Sequence, residues 1–117
     1  MSDKIKVALY CRVALKDDEA IAKQESMLRI FAKNQGCDEI ILYSDNGFNG
    51  LNFDRPAFAQ MEKDIQAGKV NTLIIKDLSR ICRNYLEMAE WVNDIQRKGV
   101  LLLSVLDGTH GNLFNAV

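Results

Sequence analysis

The sequence has very little with which to cross-link, chelate or span. One histidine among 117 residues leaves no spacing that would suit zinc. The three cysteines, Cys11, Cys37 and Cys82, are odd in number and far apart. They read as buried free thiols in a reducing cytosol, not as a disulfide framework. A single proline, Pro56, lets helices elsewhere run uninterrupted. No apolar run approaches the ~20 residues of a membrane-spanning helix, and no signal-peptide pattern is present. An excess of positive charge is missing too: 15 basic residues face 16 acidic ones, for a net charge of −1. A domain that holds nucleic acid by bulk electrostatics is normally basic. Any phosphate contact is therefore expected to be local, through a few placed arginines. Linkers, repeats and low-complexity tracts are also lacking, so one domain is expected. The free thiols and the lack of a long apolar run make it an expected cytoplasmic one with no membrane association.

What is present is ordinary in amount and regular in pattern. Hydrophobic residues make up 48% and charged residues 26%, and the chain is long enough to bury a core without staples. Residues Ile5 to Val13 alternate as a strand. From about Asp18 to Gln35, Ile21, Gln24, Leu28 and Phe31 share a helical face with Met27 beside them, and Gly36 stops the helix. Ile40 to Ser44 reads as a short strand, followed by the loop "DNGFNGLNFD" with its repeated Asn/Gly punctuation. A second helix is expected from about Arg55, with Asp54 as N-cap and Pro56 in its first turn, carrying Phe58, Met61 and Ile65 inward. "TLIIK" is apolar on consecutive positions, as a central parallel strand is. A third helix, about Tyr85 to Lys98, aligns Tyr85, Met88, Ala89, Val92 and Ile95, and "VLLLSV" forms the last strand. The order βαβαβαβ predicts an α/β fold in three layers: a mostly parallel sheet of four or five strands with helices on both faces. Met27, Leu28, Phe31, Phe58, Met61, Ile65, Val92 and Ile95 are expected to be buried, with Leu73, Ile74 and Ile75 at the sheet centre.

Sites in such sheets gather at the carboxyl ends of the strands. Strand one delivers Arg12 and Ala14 there, strand two Ser44 and Asp45, and strand three Lys76, Asp77, Ser79, Arg80 and Arg83. Arg80 and Arg83 lie three residues apart, so one helical turn would put both on one side. Guanidinium suits bidentate holding of phosphate or carboxylate oxygens. The bland alternative is surface arginines paired with Asp45, Asp77 and nearby acids. A metal-dependent receiver of phosphoryl groups would carry an acidic pair after strand one, but Arg12 stands there and Asp17 and Asp18 come too late. A calcium loop would want an acid or Asn where Gly47 stands.

Three blocks carry a resemblance to a family. "YCRVA" with Gln24, then "YSDNGFNGLNFDRPAFAQM", then "IIKDLSRICRNYLEM" resemble the N-terminal catalytic domain of the serine recombinases, the resolvase and invertase family. The likeness runs from Ile5 to about Leu106 and is strongest to the large members found in mobile elements of Gram-positive bacteria. It implies DNA as the partner and cleavage by a serine that forms a 5′-phosphoserine link, with no metal, nucleotide or other cofactor. Position by position, it implies that Arg12, Arg80 and Arg83 embrace the scissile phosphate. Gln24, Asp45, Arg55 and Ser79 match other active-site or supporting positions, Arg55 being counted with the phosphate contacts, and Tyr10 matches a residue typical of the strand.

At the nucleophile position the family has serine, and this chain has Ala14. Without a hydroxyl no covalent intermediate forms, and neighbouring arginines cannot replace a nucleophile. Cys11 is expected on the opposite face of its strand, and nothing in the sequence aims Ser26 or Ser79 in line. The chain is therefore expected to be inactive as it stands. Either replacement by design, or natural decay or repurposing, would account for Ala14. Asn49, where serine is usual, and Cys82, where glycine is usual, favour the second. "LDGTHGNLFNAV" resembles a shortened approach to the family's long dimerisation helix. Residues 1–117 are thus expected to be a single resolvase-type catalytic domain, or a fragment, lacking that helix and the DNA-binding domain. Dimers or tetramers, or association with an intact recombinase, follow from the resemblance. The alternative is a non-catalytic recombinase-like interaction module or regulator.

Overall fold

In a computed structural model, residues 5–37, 39–50 and 54–107 are described. Strand β1 (Lys6–Val13) has six consecutive buried residues between its ends, the signature of a strand covered on both sides. It occupies the centre of a four-stranded sheet in the order β2-β1-β3-β4, with β2 (Glu39–Asn46), β3 (Thr72–Ile75) and β4 (Leu101–Ser104). Every pairing is parallel, and the register sets Arg12 beside Asp45 and Tyr10 beside both Tyr43 and Ile75.

Strand alternation divides the core in two. Val7, Leu9 and Cys11 pack with Ile74 and Leu103 under helix α1 (Asp18–Asn34), which contributes Ile21, Leu28 and Ala32. Ala8 and Tyr10 pack with Leu73, Ile75 and Leu102 on the other face. There α2 (Pro56–Gln66) and α3 (Tyr85–Arg97) bring Phe58, Met61, Ile65, Met88, Val92 and Ile95. The three layers follow the expectation from sequence. Asp17 caps α1 through the Ala20 amide at 3.0 Å, and Asn84 caps α3 through the Glu87 amide at 3.0 Å.

Several details differ from the sequence reading. The buried stripe of α1 is Ile21, Gln24, Leu28 and Ala32. Continuing it from Leu28 by four residues selects Ala32, so Phe31 and Met27 flank the stripe and are half-buried. Tyr85, expected on the inward face of α3, is the first residue of that helix and is 74% exposed; the buried residues of α3 begin at Met88. Strand β2 runs three residues further than expected, by Glu39 at its start and Asp45 and Asn46 at its end. Helix α2 begins at Pro56 with Arg55 at the cap position and no side-chain cap from it. The expected cap, Asp54, is supplanted by Asp45 from the end of β2, whose carboxylate accepts from the Ala57 and Phe58 amides at 2.9 and 3.0 Å. From residue 108 on, the segment likened to the dimerisation-helix approach lies outside the described residues. Among the described residues no helix is long and apolar enough to cross a membrane.

Candidate functional site

At the carboxyl end of β1 the chain makes a knot of guanidiniums. The Arg12 backbone is fixed by Gln24, which accepts from its amide at 3.0 Å and donates to its carbonyl at 3.2 Å. Gln24 is buried on α1, so this pair ties the strand end to the helix. The Arg12 side chain, only 2% exposed, turns inward over three carbonyls. Its Nε donates to Arg80 O at 3.2 Å, Nη1 to Phe48 O at 2.9 Å and Nη2 to Ser79 O at 2.7 Å. Arg80 reciprocates: its Nη1 donates to the Arg12 carbonyl at 3.1 Å, and its Nη2 lies 3.4 Å from Asp77. The Arg80 Nε is buried without a hydrogen-bond partner among the described residues.

Arg55 joins the knot from α2. It is 1% exposed, donates to Tyr10 Oη at 3.1 Å and Arg80 O at 2.8 Å, and also donates to Ile81 O. Tyr10 in turn donates to Asp45 at 2.7 Å. The Tyr10 hydroxyl thus bridges Arg55 and Asp45. Burial of the hydroxyl, then its bond to Asp45, raises the Tyr10 pKa far above the ordinary tyrosine range. The Arg12 pKa is lowered, first by burial and then by Arg55, with Arg80 and Arg83 adding to it. Four like charges are concentrated at one strand end, which favours an anion there.

Arg83 lies on the outside of this knot. Its side chain is exposed, and its amide donates to Gly50 O at 2.7 Å. A Cβ on Gly50 would fall 2.6 Å from Arg83 Cγ and 2.7 Å from Arg12 Nη2, so the loop backbone passes directly between the two arginines. Arg80 belongs to a short 3-10 turn, Leu78–Arg80, that Asp77 caps through the Ser79 amide at 3.1 Å. That turn ends before Arg83, so the two side chains do not share a helical face.

Ala14 follows β1 in a bend and is exposed. Next to it, the Val13 carbonyl accepts from the Gly47 and Phe48 amides at 2.9 and 3.1 Å. No expected substitute takes the place of the missing hydroxyl. Cys11 packs on the α1 side of the sheet, opposite Arg12, and burial, followed by Glu25, pushes its thiol up to about 12. It is not a thiolate near neutral pH. The Ser79 hydroxyl is exposed and donates to Asp77, and Ser26 is exposed on α1. Ser44 donates to Glu25 at 2.7 Å, away from the knot. Among the described residues no group of His, Cys, Asp or Glu could hold a metal ion.

Two contributors escaped the sequence reading. Gly50 was visible only as loop punctuation, although a glycine beside a charged cluster is also a signal of close backbone approach. Asn46 holds the segment after Ala14: its side chain accepts from the Asp17 amide at 2.8 Å and donates to Asp18 at 2.8 Å.

Known proteins resemble this chain in sequence and fold. The chain is 25% identical over 108 residues to a protein of Bacillus subtilis (strain 168) named "Putative DNA recombinase", covering 91% of this chain but 21% of that protein. Its fold superposes on the N-terminal catalytic domain of TP901-1 integrase with a TM-score of 0.81 and 25% identity, over 92% of this chain and 87% of that one. It also matches a resolvase family site-specific recombinase from Streptococcus pneumoniae with a TM-score of 0.76 and 33% identity, over 90% of this chain and 74% of that one. The family model "Resolvase, N terminal domain" matches residues 7–113. The chain therefore belongs to the resolvase N-terminal domain family, the catalytic domains of the serine recombinases.

Proposed function

We propose that this chain is the catalytic-type domain of a site-specific DNA recombinase that keeps the phosphate-holding frame and has lost the nucleophile. The observation that carries this reading is the reciprocal Arg12–Arg80 pair beside the exposed Ala14. In the reading, Arg12, Arg80 and Arg83 hold the scissile phosphate, Gln24 fixes the Arg12 backbone, and Asp45 and Ser79 support the two loops. The arginines would stabilise charge developing on a pentacoordinate phosphorus. With only a methyl group at residue 14, no phosphoserine link forms. DNA is the partner, bound weakly by this domain alone, and the domain assembles as a dimer or tetramer or with an intact recombinase.

The expected outcome with crossover-site DNA is no covalent adduct under denaturing conditions. An adduct would show that the nucleophile lies elsewhere. The complementary test grafts this domain, as Ala14 and as Ala14→Ser, onto the dimerisation helix and DNA-binding domain of an active relative, because positioning supplies up to roughly 7–11 kcal/mol of such a barrier. Cleavage by the serine graft alone is expected. Failure of both would shift attention to Asn49 and Cys82. A second reading, an interaction module that tunes an active recombinase, is favoured by one observation: the Arg12 guanidinium donates from all three nitrogens to this chain's own carbonyls. It predicts that the domain suppresses recombination by an intact relative without binding the crossover site.

A further inference from the structure

The largest fully buried side chain among the described residues is a cation, Arg55. Its backbone is held twice. Pro56 follows it and restricts it to the extended conformation observed, φ −137 and ψ 127. The amides of Ala57 and Phe58 just beyond are bound by Asp45. From this fixed base the guanidinium stacks 4.5 Å from the Phe58 ring centroid and 5.7 Å from that of Tyr10. Its planar fork then spans two successive carbonyls, Arg80 O and Ile81 O. The Arg80 carbonyl receives a second donor from Arg12 Nε, so the backbone at Arg80 is held from both sides. The Arg80 side chain leaves that fixed point with one buried donor, Nε, unpaired among the described residues.

We propose that Arg55 never touches phosphate and acts as a positioning residue, fixing the Arg80 and Ile81 carbonyls so that the Arg80 guanidinium is aimed at the anion. This rests on the anion-binding reading above. It differs from the resemblance, which counted Arg55 among the phosphate contacts. The Nη1 of Arg55 is taken up by Tyr10 Oη and Arg80 O and its Nη2 by Ile81 O, and its face is covered by Phe58. A lysine could carry the charge but could not bridge two carbonyls with a planar fork.

The test follows the arginine Nε–H signals of the full chain by 15N NMR while inorganic phosphate is added at constant ionic strength. Arg80 and Arg83 should shift saturably, and Arg55 should stay unshifted and protected from exchange. In Arg55→Met the Arg80 signal should move before phosphate is added and lose its response to it, with the Arg83 response retained. Arg55→Lys should not restore the Arg80 response, although it restores the charge. A saturable Arg55 shift with the Arg80 midpoint, or an unchanged Arg80 response in Arg55→Met, would overturn the proposal. If the variant does not fold, the wild-type titration decides alone. Silence at both Arg80 and Arg83 would instead overturn the anion site itself, and this inference with it.

Discussion

The hydroxyls of Tyr10 and Tyr43 are each spent on a carboxylate, Asp45 at 2.7 Å and Asp64 at 2.5 Å. Burial first, then these bonds, raise both pKa values. The folded chain keeps these protons at a pH where the unfolded chain has released them, so stability is fully present below the free-tyrosine pKa and is lost as pH rises beyond it. Urea midpoints should hold steady up to about pH 9.5 and fall above the ~10 at which free tyrosine ionises. A flat profile through that range would place both hydroxyls in water. Phe58 and Phe31 make a second pair to compare. Phe58 is fully buried between Tyr10 and Trp91, with ring centroids 5.3 and 5.0 Å away. Phe58→Ala should cost ~3–5 kcal/mol by chemical denaturation. Phe31, half-buried at the flank of α1, should cost clearly less, and equal losses would mean that the helix is rotated from its described phase.

At the scale of elements, the start of α2 shows where local signals give out. Strand and helix periods are written in neighbouring residues, which is why the four strands and three α-helices of the described residues are legible, to within a few residues at their ends. A cap can come from anywhere. Asp54 stands where a local cap should, but Asp45, twelve residues before Ala57, binds the first free amides. Its carboxylate also faces the positive end of the helix dipole. Asp45→Asn keeps the shape and removes the charge, and should cost about 1.5–3 kcal/mol, the worth of a hydrogen bond to a charged group. A loss near zero would assign the helix start to local residues after all. The same limit applies to the site. The end of β1 announced Arg12, because strand ends collect sites. That its donors close on Phe48, Ser79 and Arg80 carbonyls was hidden, since those atoms are placed by loops that no periodicity describes.

At the scale of the molecule, the net charge of −1 and the four clustered guanidiniums act against each other. Affinity for a crossover-site duplex should be weak and fall steeply with added salt, as read by fluorescence anisotropy, with a log–log slope of about −0.9 per phosphate contacted. A salt-independent affinity would remove the phosphate contacts from the reading. The central place of β1 has a consequence for the growing chain. Its neighbours β2 and β3 are both parallel to it, so no hairpin can cover it early. Of the three acceptors of the Arg12 side chain, two, Ser79 O and Arg80 O, lie 67 and 68 residues later. Until those residues are synthesised, "VALYC" is an apolar, strand-forming segment without its β3 partner, and such segments aggregate. Lys6 and Arg12 flank it on either side. Charges placed at the ends of such a segment oppose strand-to-strand pairing between nascent chains.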